Sequence, residues 1–245
     1  MDFPNLQQYS KIAYDTETTG LQFRVDTVFG FSISTPDKDY YWDIRETPQA
    51  KDWLNDQMAE YKGTVACHNA SFDYRMSWFT GIDLPLNQMD DTVIRACLIN
   101  EHLHSYALDD LSKKYLGEGK HGDIYQDLAD IYGGRATRNM QMPNLQHAPS
   151  EVVAPYAKTD TRRTLDLHDW QDKEIMRQGI RRIVEFERSL MPLVINTEIH
   201  GIRVDLDYAE QAMEKMTPQI DRAQAELNKF VDGEINVNSP PQVKA

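Results

Sequence analysis

Residues 11–44 set the fold class. KIAYDT at 11–16, TVFGFSIST at 27–35 with Phe29, Phe31 and Ile33 alternating, and DYYWDI at 39–44 each read as a strand, and TETTGL and STPDKD supply turn residues between them. Helical patterns then interleave with further apolar runs. Residues 47–61 carry Trp53, Leu54 and Met58 on one side, GTVACHN is a short buried strand, and ASFDYRMSWF suits a helix. A short strand or turn near MDDT leads into helices at 91–100 and 107–116, the second with Leu108, Leu111 and Tyr115 on one face. Residues 117–149 are rich in Gly, Asn, Gln and Pro and read as loop with one helix at 123–132, and a long helical pattern runs from Ser150 to about Gln178. Strands interleaved with helices predict an α/β domain over 1–178.

Composition shifts after Gly179. RRIVEFERSLMPLVINTEIHG and LDYAEQAMEKMTPQIDRAQAELNKFV read as two further helices, so 179–245 is expected to be an all-helical arm. Ser239 followed by Pro240 reads as a helix cap with proline in the first turn, after which the sequence stops. The expectation is a truncated piece or half of a split protein.

Hydrophobic residues make up 40% of the 245, enough for one sizeable core. A net charge of −13 argues against a general nucleic-acid binder, which carries a basic face. Action on nucleic acid therefore requires a local site, with metal ions or a basic partner offsetting the charge. Cys67 and Cys97 have no metal-ligand spacing and read as reduced thiols. The polar start MDFPNLQQYSK lacks a signal peptide's apolar core, and no apolar run approaches the ~20 residues of a membrane span. The expectation is a soluble cytoplasmic protein without a membrane partner.

Asp15 and Glu17 stand two apart on a strand and so share a face, where two carboxylates raise each other's pKa unless a cation sits between them. All-oxygen donors suit hard ions such as Mg²⁺ or Mn²⁺. Thr16 faces the other way, into packing. D-x-E alone means little, since it recurs at Asp172/Glu174 and Asp232/Glu234, but the first copy follows an apolar strand and precedes a TTG turn. Asn69 and Asp73 are four apart on a helix that starts straight after a buried strand, with Asn69 equally readable as that helix's cap. Tyr156 and Asp160 share a face of the long helix in the same way.

The ordered set DTE at 15–17, NASFD at 69–73 and YAKTD at 156–160 resembles the three motifs of the DEDD 3′–5′ exonucleases, in the variant with tyrosine in the last motif. With DTETTGL, DDTVIRACLIN, SYALDDLSKKYLG and PYAKTDTRRTLDLH, it is similar to the proofreading domain of family A DNA polymerases, phage-encoded members included. The stretch from FERSLMPLVINTEIHGIRVD to INVNSPPQVKA looks like the beginning of that family's polymerase region, up to the base of the thumb. The resemblance implies an RNase H-like mixed sheet flanked by helices and a two-metal site using Mg²⁺ or Mn²⁺. Asp15 would bridge both ions, Glu17 and Asp160 complete the first, and Asp73 hold the second. Tyr156 would orient the attacking water. The implied partners are single-stranded DNA 3′ ends, frayed primer termini and the remainder of the polymerase (thumb, palm and fingers).

Five further residues are candidate substrate contacts. Leu21 falls where the family places an apolar wedge, with core packing as the alternative. Phe72 would stack on a base or pack in the core, Asn69 and His68 would touch the terminal sugar or phosphate, and Tyr125 would give a second aromatic contact. Lys158, Arg162, Arg163, Arg135 and Arg138 are candidate guides for the strand, the arginines at 162 and 163 being equally readable as a solvated helix face. Two alternatives stand beside this reading: an RNA-processing exonuclease of the same fold, and a non-catalytic scaffold of a polymerase.

Overall fold

The computed structural model describes residues 3–117, 124–231 and 233–244. Strands β1 (Lys11–Thr18), β2 (Val28–Ser34) and β3 (Asp39–Asp43) form an antiparallel meander. Helix α1 (Gln49–Glu60) leads to β4 (Thr64–Cys67), which lies parallel to β1; α2 (Ala70–Thr80) leads to β5 (Met89–Asp91), parallel to β4. The sheet order is β3-β2-β1-β4-β5. Helices α3 (Thr92–Ile99), α4 (Leu108–Tyr115), α5 (Ile124–Tyr132) and α6 (Arg138–Leu145) precede the long α7 (Ser150–Gln178). Helix α8 (Arg181–His200) follows, then α9 (Leu206–Leu227) and α10 (Pro240–Lys244).

The two-residue period of a strand divides the sheet's faces. Ile12, Tyr14, Phe31, Ile33, Trp42, Val65 and Cys67 build the main core with Leu54 and Met58 of α1 and Met76 of α2. The other face carries small residues. Ala13 and Ala66 meet Leu165 of α7, the Ser32 hydroxyl donates to the Ala157 carbonyl at 3.0 Å, and Ser34 Oγ bonds Thr161 Oγ1 at 2.9 Å. Small side chains let α7 lie close on the sheet. Contacts at Ala157 and Thr161 advance with β2 from Ser32 to Ser34, so α7 runs along β2 and against β1.

Two regions differ from the sequence reading. The interval read mostly as loop holds a second helix, α6, with Pro143 inside it, and its Gln141 and Leu145 are buried. Residues 118–123 lie outside the described residues, so the expected helix at 123–132 is seen as α5 from Ile124. Helix α7 does stop at Gly179, whose φ of 70° frees the Gly179 and Ile180 amides to donate to the Met176 and Ile175 carbonyls. The chain then folds back: Met191, Ile195 and Ile199 of α8 enter the main core. The first compact unit therefore runs Met1–Ile199, past the 178/179 boundary expected from composition, and the second runs His200–Ala245. In the second unit Asp205 caps α9 by accepting the Tyr208 amide at 3.0 Å, and no α9 residue is buried. No helix among the described residues is long and apolar enough to cross a membrane.

Ile195 is fully buried. Ile195→Ala should destabilise the first unit by about 2–5 kcal/mol, read from urea melts. A loss below about 1 kcal/mol would mean that α8 is not part of this core.

Candidate active site

Strand β1 outlasts its neighbour. It pairs with β4 only from Lys11 to Ala13, while β2 accompanies it to Thr18, so the segment from Asp15 on has one open edge. Asp15 sits opposite Ser32, on the face that meets α7, and Glu17 lies opposite Gly30 on the same face. Thr16 points to the other face, as alternation requires, and there it meets Asp73 of α2. Its backbone N–H and its hydroxyl both donate to Asp73 Oδ1, at 3.1 and 2.7 Å. Asp73, 2% exposed, is thus tied to the open edge of β1 between the two acids of the first motif. Tyr156 and Asp160 come from α7, flanking the Ala157 that touches Ser32.

The electrostatics show how closely these groups gather. Loss of water raises the Asp15 carboxyl well above its usual range, and the charges of Asp73, Glu17 and Asp160 raise it further. Glu17, 5% exposed, is raised by burial and then by Asp160 and Asp73. Burial pushes Asp73 up to about 7 against the two Thr16 hydrogen bonds that pull it down. Burial pushes Asp160 to about 6, with the Tyr156 hydroxyl and Arg163 acting in the opposite direction. Tyr156 is raised well above 10 by burial and by Asp160, Glu17 and Asp15, so it is a neutral phenol at pH 7. None of the four acids has an ion pair among the described residues.

A cleft of about 490 Å³ opens beside this cluster, and His68, Asn69, Tyr125, Arg138, Tyr156, Asp160 and Arg163 are among the residues lining it. His68 is tied to Thr92 at 2.8 Å and is lowered to about 4 by burial, so it is neutral at pH 7. Asn69 is exposed and makes no cap hydrogen bond to its own helix. Two further expected contacts do not line this cleft. Leu21 is 75% exposed on the loop after β1 and is not among the lining residues, and the Phe72 ring packs against the main core. Arg162 faces β3, where it donates to Asp39 and the Thr35 carbonyl. Arg163 holds Asp109 of α4 at 2.8 Å.

The sequence reading missed the work of Thr16, Asp109 and Asp91. Alternation placed Thr16 on the face away from the acids; that Asp73 arrives from that face is a property of the tertiary fold. Asp91 stands in DDTVIRACLIN, and its position before a helix was the available signal.

The donor chemistry fits hard divalent cations: four carboxylates, partly or wholly desolvated, with no basic side chain among the described residues paired to them. A second acidic group does not. His168, Asp169 and Asp172 have ligand atoms within 4.8 Å of one another, the one such trio among the described residues. Lys11 Nζ already bonds Asp169 and Asp172 at 2.6 Å each, Arg95 holds Asp172, and His168 bonds Asp90 at 3.1 Å. That trio is a neutralised ion-pair network at the start of β1.

Comparison with known proteins identifies the family. The family model described as 3′–5′ exonuclease, for A-type DNA polymerases, matches residues 3–175. The chain belongs to this 3′–5′ exonuclease family of A-type DNA polymerases. It is 52% identical over its whole length to the DNA polymerase DpoZ of Vibrio phage phiVC8, of which it spans 40%. The fold matches the POL domain of Pol1 from M. smegmatis, solved with DNA primer-template and dNTP, with a TM-score of 0.65 and 21% identity, over 98% of this chain and 37% of that one. It also matches Brucella melitensis NrnC with bound Mg²⁺ at a TM-score of 0.60 and 18% identity, covering 81% and 90% of the two chains.

Acids whose folded pKa lies above the unfolded value bind extra protons when folded, so they cost stability as pH rises through about 4 to 7. His68, lowered to about 4, acts with the opposite sign and is common to wild type and variant. In EDTA, Asp15→Asn should melt higher than wild type at pH 7.5, by about 2–4 °C per kcal/mol of repulsion removed. The gap should shrink toward pH 4. A gap independent of pH would contradict the clustering of charge.

Proposed function

We propose that the chain removes 5′-mononucleotides from the 3′ end of DNA and serves as the proofreading part of a phage family A DNA polymerase in the host cytoplasm. The observation that carries this reading is that Asp73 of α2 and Asp160 of α7 act electrostatically on the buried Asp15 and Glu17 of β1 beside an open cleft, with no ion pair to any of the four among the described residues. These four acids would hold two divalent ions, Mg²⁺ or Mn²⁺. Such ions, when bound, supply Lewis-acid activation of water and neutralise charge at the scissile phosphate.

The protein's own groups do the rest. Thr16 fixes Asp73 through two hydrogen bonds to one oxygen, leaving Oδ2 for the site. Tyr156, a neutral phenol, aligns the attacking water by hydrogen bonding and is no base at pH 7. Glu17 accepts hydrogen bonds from the same water. The water oxygen loses a proton to solvent as it bonds to phosphorus, the bond from phosphorus to the 3′ oxygen breaks, and that oxygen takes up a proton from solvent, so one water is consumed for each nucleotide released. Asn69, His68 and Tyr125 line the cleft for the terminal nucleotide, and Arg138 lines it for the strand's phosphates. Phosphate-centred chemistry is indifferent to sequence, and unpaired ends are favoured because they are already unstacked. The chain spans about 40% of its phage relative, so the remaining polymerase is the proposed partner that supplies primer termini.

A 5′-labelled single-stranded DNA incubated with Mg²⁺ should give a ladder shortening from the 3′ end, stopped by EDTA. Asp15→Ala should abolish it and Tyr156→Phe should slow it about tenfold, the loss of one orienting hydrogen bond of about 1.4 kcal/mol. A matched RNA digested faster than DNA would favour an RNA-processing exonuclease. DNA left intact in Mn²⁺ would leave the scaffold role.

A further inference from the structure

One carboxylate serves two helix starts. Asp91, the last residue of β5, is 6% exposed and lies opposite Cys67 at the end of β4. Its Oδ1 accepts the amide of Val93 at 2.8 Å, which caps its own helix α3. The same oxygen accepts the amide of Asn69 at 3.1 Å, and Oδ2 accepts that of Ala70 at 2.9 Å. Those two amides open α2, whose first N–H groups have no partner within the helix. Asn69, at φ 75° and ψ 55°, is left-handed, a conformation that asparagine adopts more readily than other non-glycine residues. Asn69 does not cap α2 with its own side chain. The distant carboxylate does that instead, and the Asn69 side chain remains at the cleft.

We propose that Asp91 is a positioning residue of the nuclease site: it holds Asn69 left-handed and so aims its amide at the terminal nucleotide. The inference rests on the functional reading above. It separates two tasks at the start of α2. Thr16 independently secures Asp73, so loss of Asp91 weakens the grip on substrate more than the chemistry. A carboxylate suits the position because three N–H donors converge on it; an asparagine of the same shape turns an NH₂ donor toward one of them.

The test uses the whole chain with Asp91→Asn, and Asp91→Ser in case the first folds poorly. Amide hydrogen exchange read by NMR should quicken about tenfold at Asn69 and Ala70, the measure of about 1.4 kcal/mol, with melting otherwise cooperative. In steady-state digestion of 5′-labelled single-stranded DNA, KM should rise about tenfold while kcat stays within about twofold. In an Asn69→Ala background the same substitution should raise KM less than about twofold, because its effect passes through Asn69. Equal factors in both backgrounds, an unchanged KM, or unaltered exchange at Asn69 and Ala70 would overturn the proposal. If wild type releases no nucleotide, the nuclease reading fails, and the exchange measurement still decides whether Asp91 holds this backbone.

Discussion

Mutual repulsion among desolvated carboxylates is the constraint around which this fold is arranged. Burial raises Asp15, Glu17, Asp73 and Asp160 at one end of the sheet, the charges of Asp73 and Asp160 raise Asp15 and Glu17 further, and no basic side chain among the described residues pairs with them. Three devices hold the four. Asp15 and Glu17 are fixed by the β1–β2 ladder, Asp73 by Thr16, and Asp160 by a helix seated on the small side chains of Ala13, Ser32, Ser34 and Ala66. A site of this kind is unfavourable for the isolated chain and becomes favourable when a cation enters. That is the usual relation between stored electrostatic strain and function.

The opposite end of β1 supplies the contrast. There His168, Asp169 and Asp172 come as near to one another as metal ligands do, yet Lys11 and Arg95 already neutralise them. Burial raises the Asp172 carboxyl, but its bonds to His168, Lys11 and Arg95 prevail and hold it well below the usual carboxylate range. Proximity of acids does not define a metal site. The sign of the surrounding charge matters as well: it makes the motif acids the proposed site, and the compact trio a clamp between α7 and the sheet.

Most of the sheet was legible in the sequence because its strands are short, apolar and separated by turn chemistry, and the motif acids were legible by their order along the chain. The remainder depended on long-range contacts. Helix α6 hides behind an internal proline and an Asn/Gln-rich composition, and its burial comes from packing with α5. Helix α8 reads as an arm because the composition shifts after Gly179, while its Met191, Ile195 and Ile199 complete the core. Leu21 and Phe72 were candidates by position in their motifs; one lies on an exposed loop and the other in the core, outcomes set by tertiary packing. The bonds from Thr16 and Asp91 that organise α2 join segments 57 and 21–22 residues apart, which no local pattern encodes.

The most direct measurement is anomalous scattering from crystals of the protein soaked in Mn²⁺. The account predicts manganese peaks within ligand distance of Asp15, Glu17 and Asp160, with Asp73 Oδ2 turned toward them. Manganese at His168, Asp169 and Asp172 with none at Asp15, or Asp73 and Asp160 directed away from an empty cluster, would contradict it.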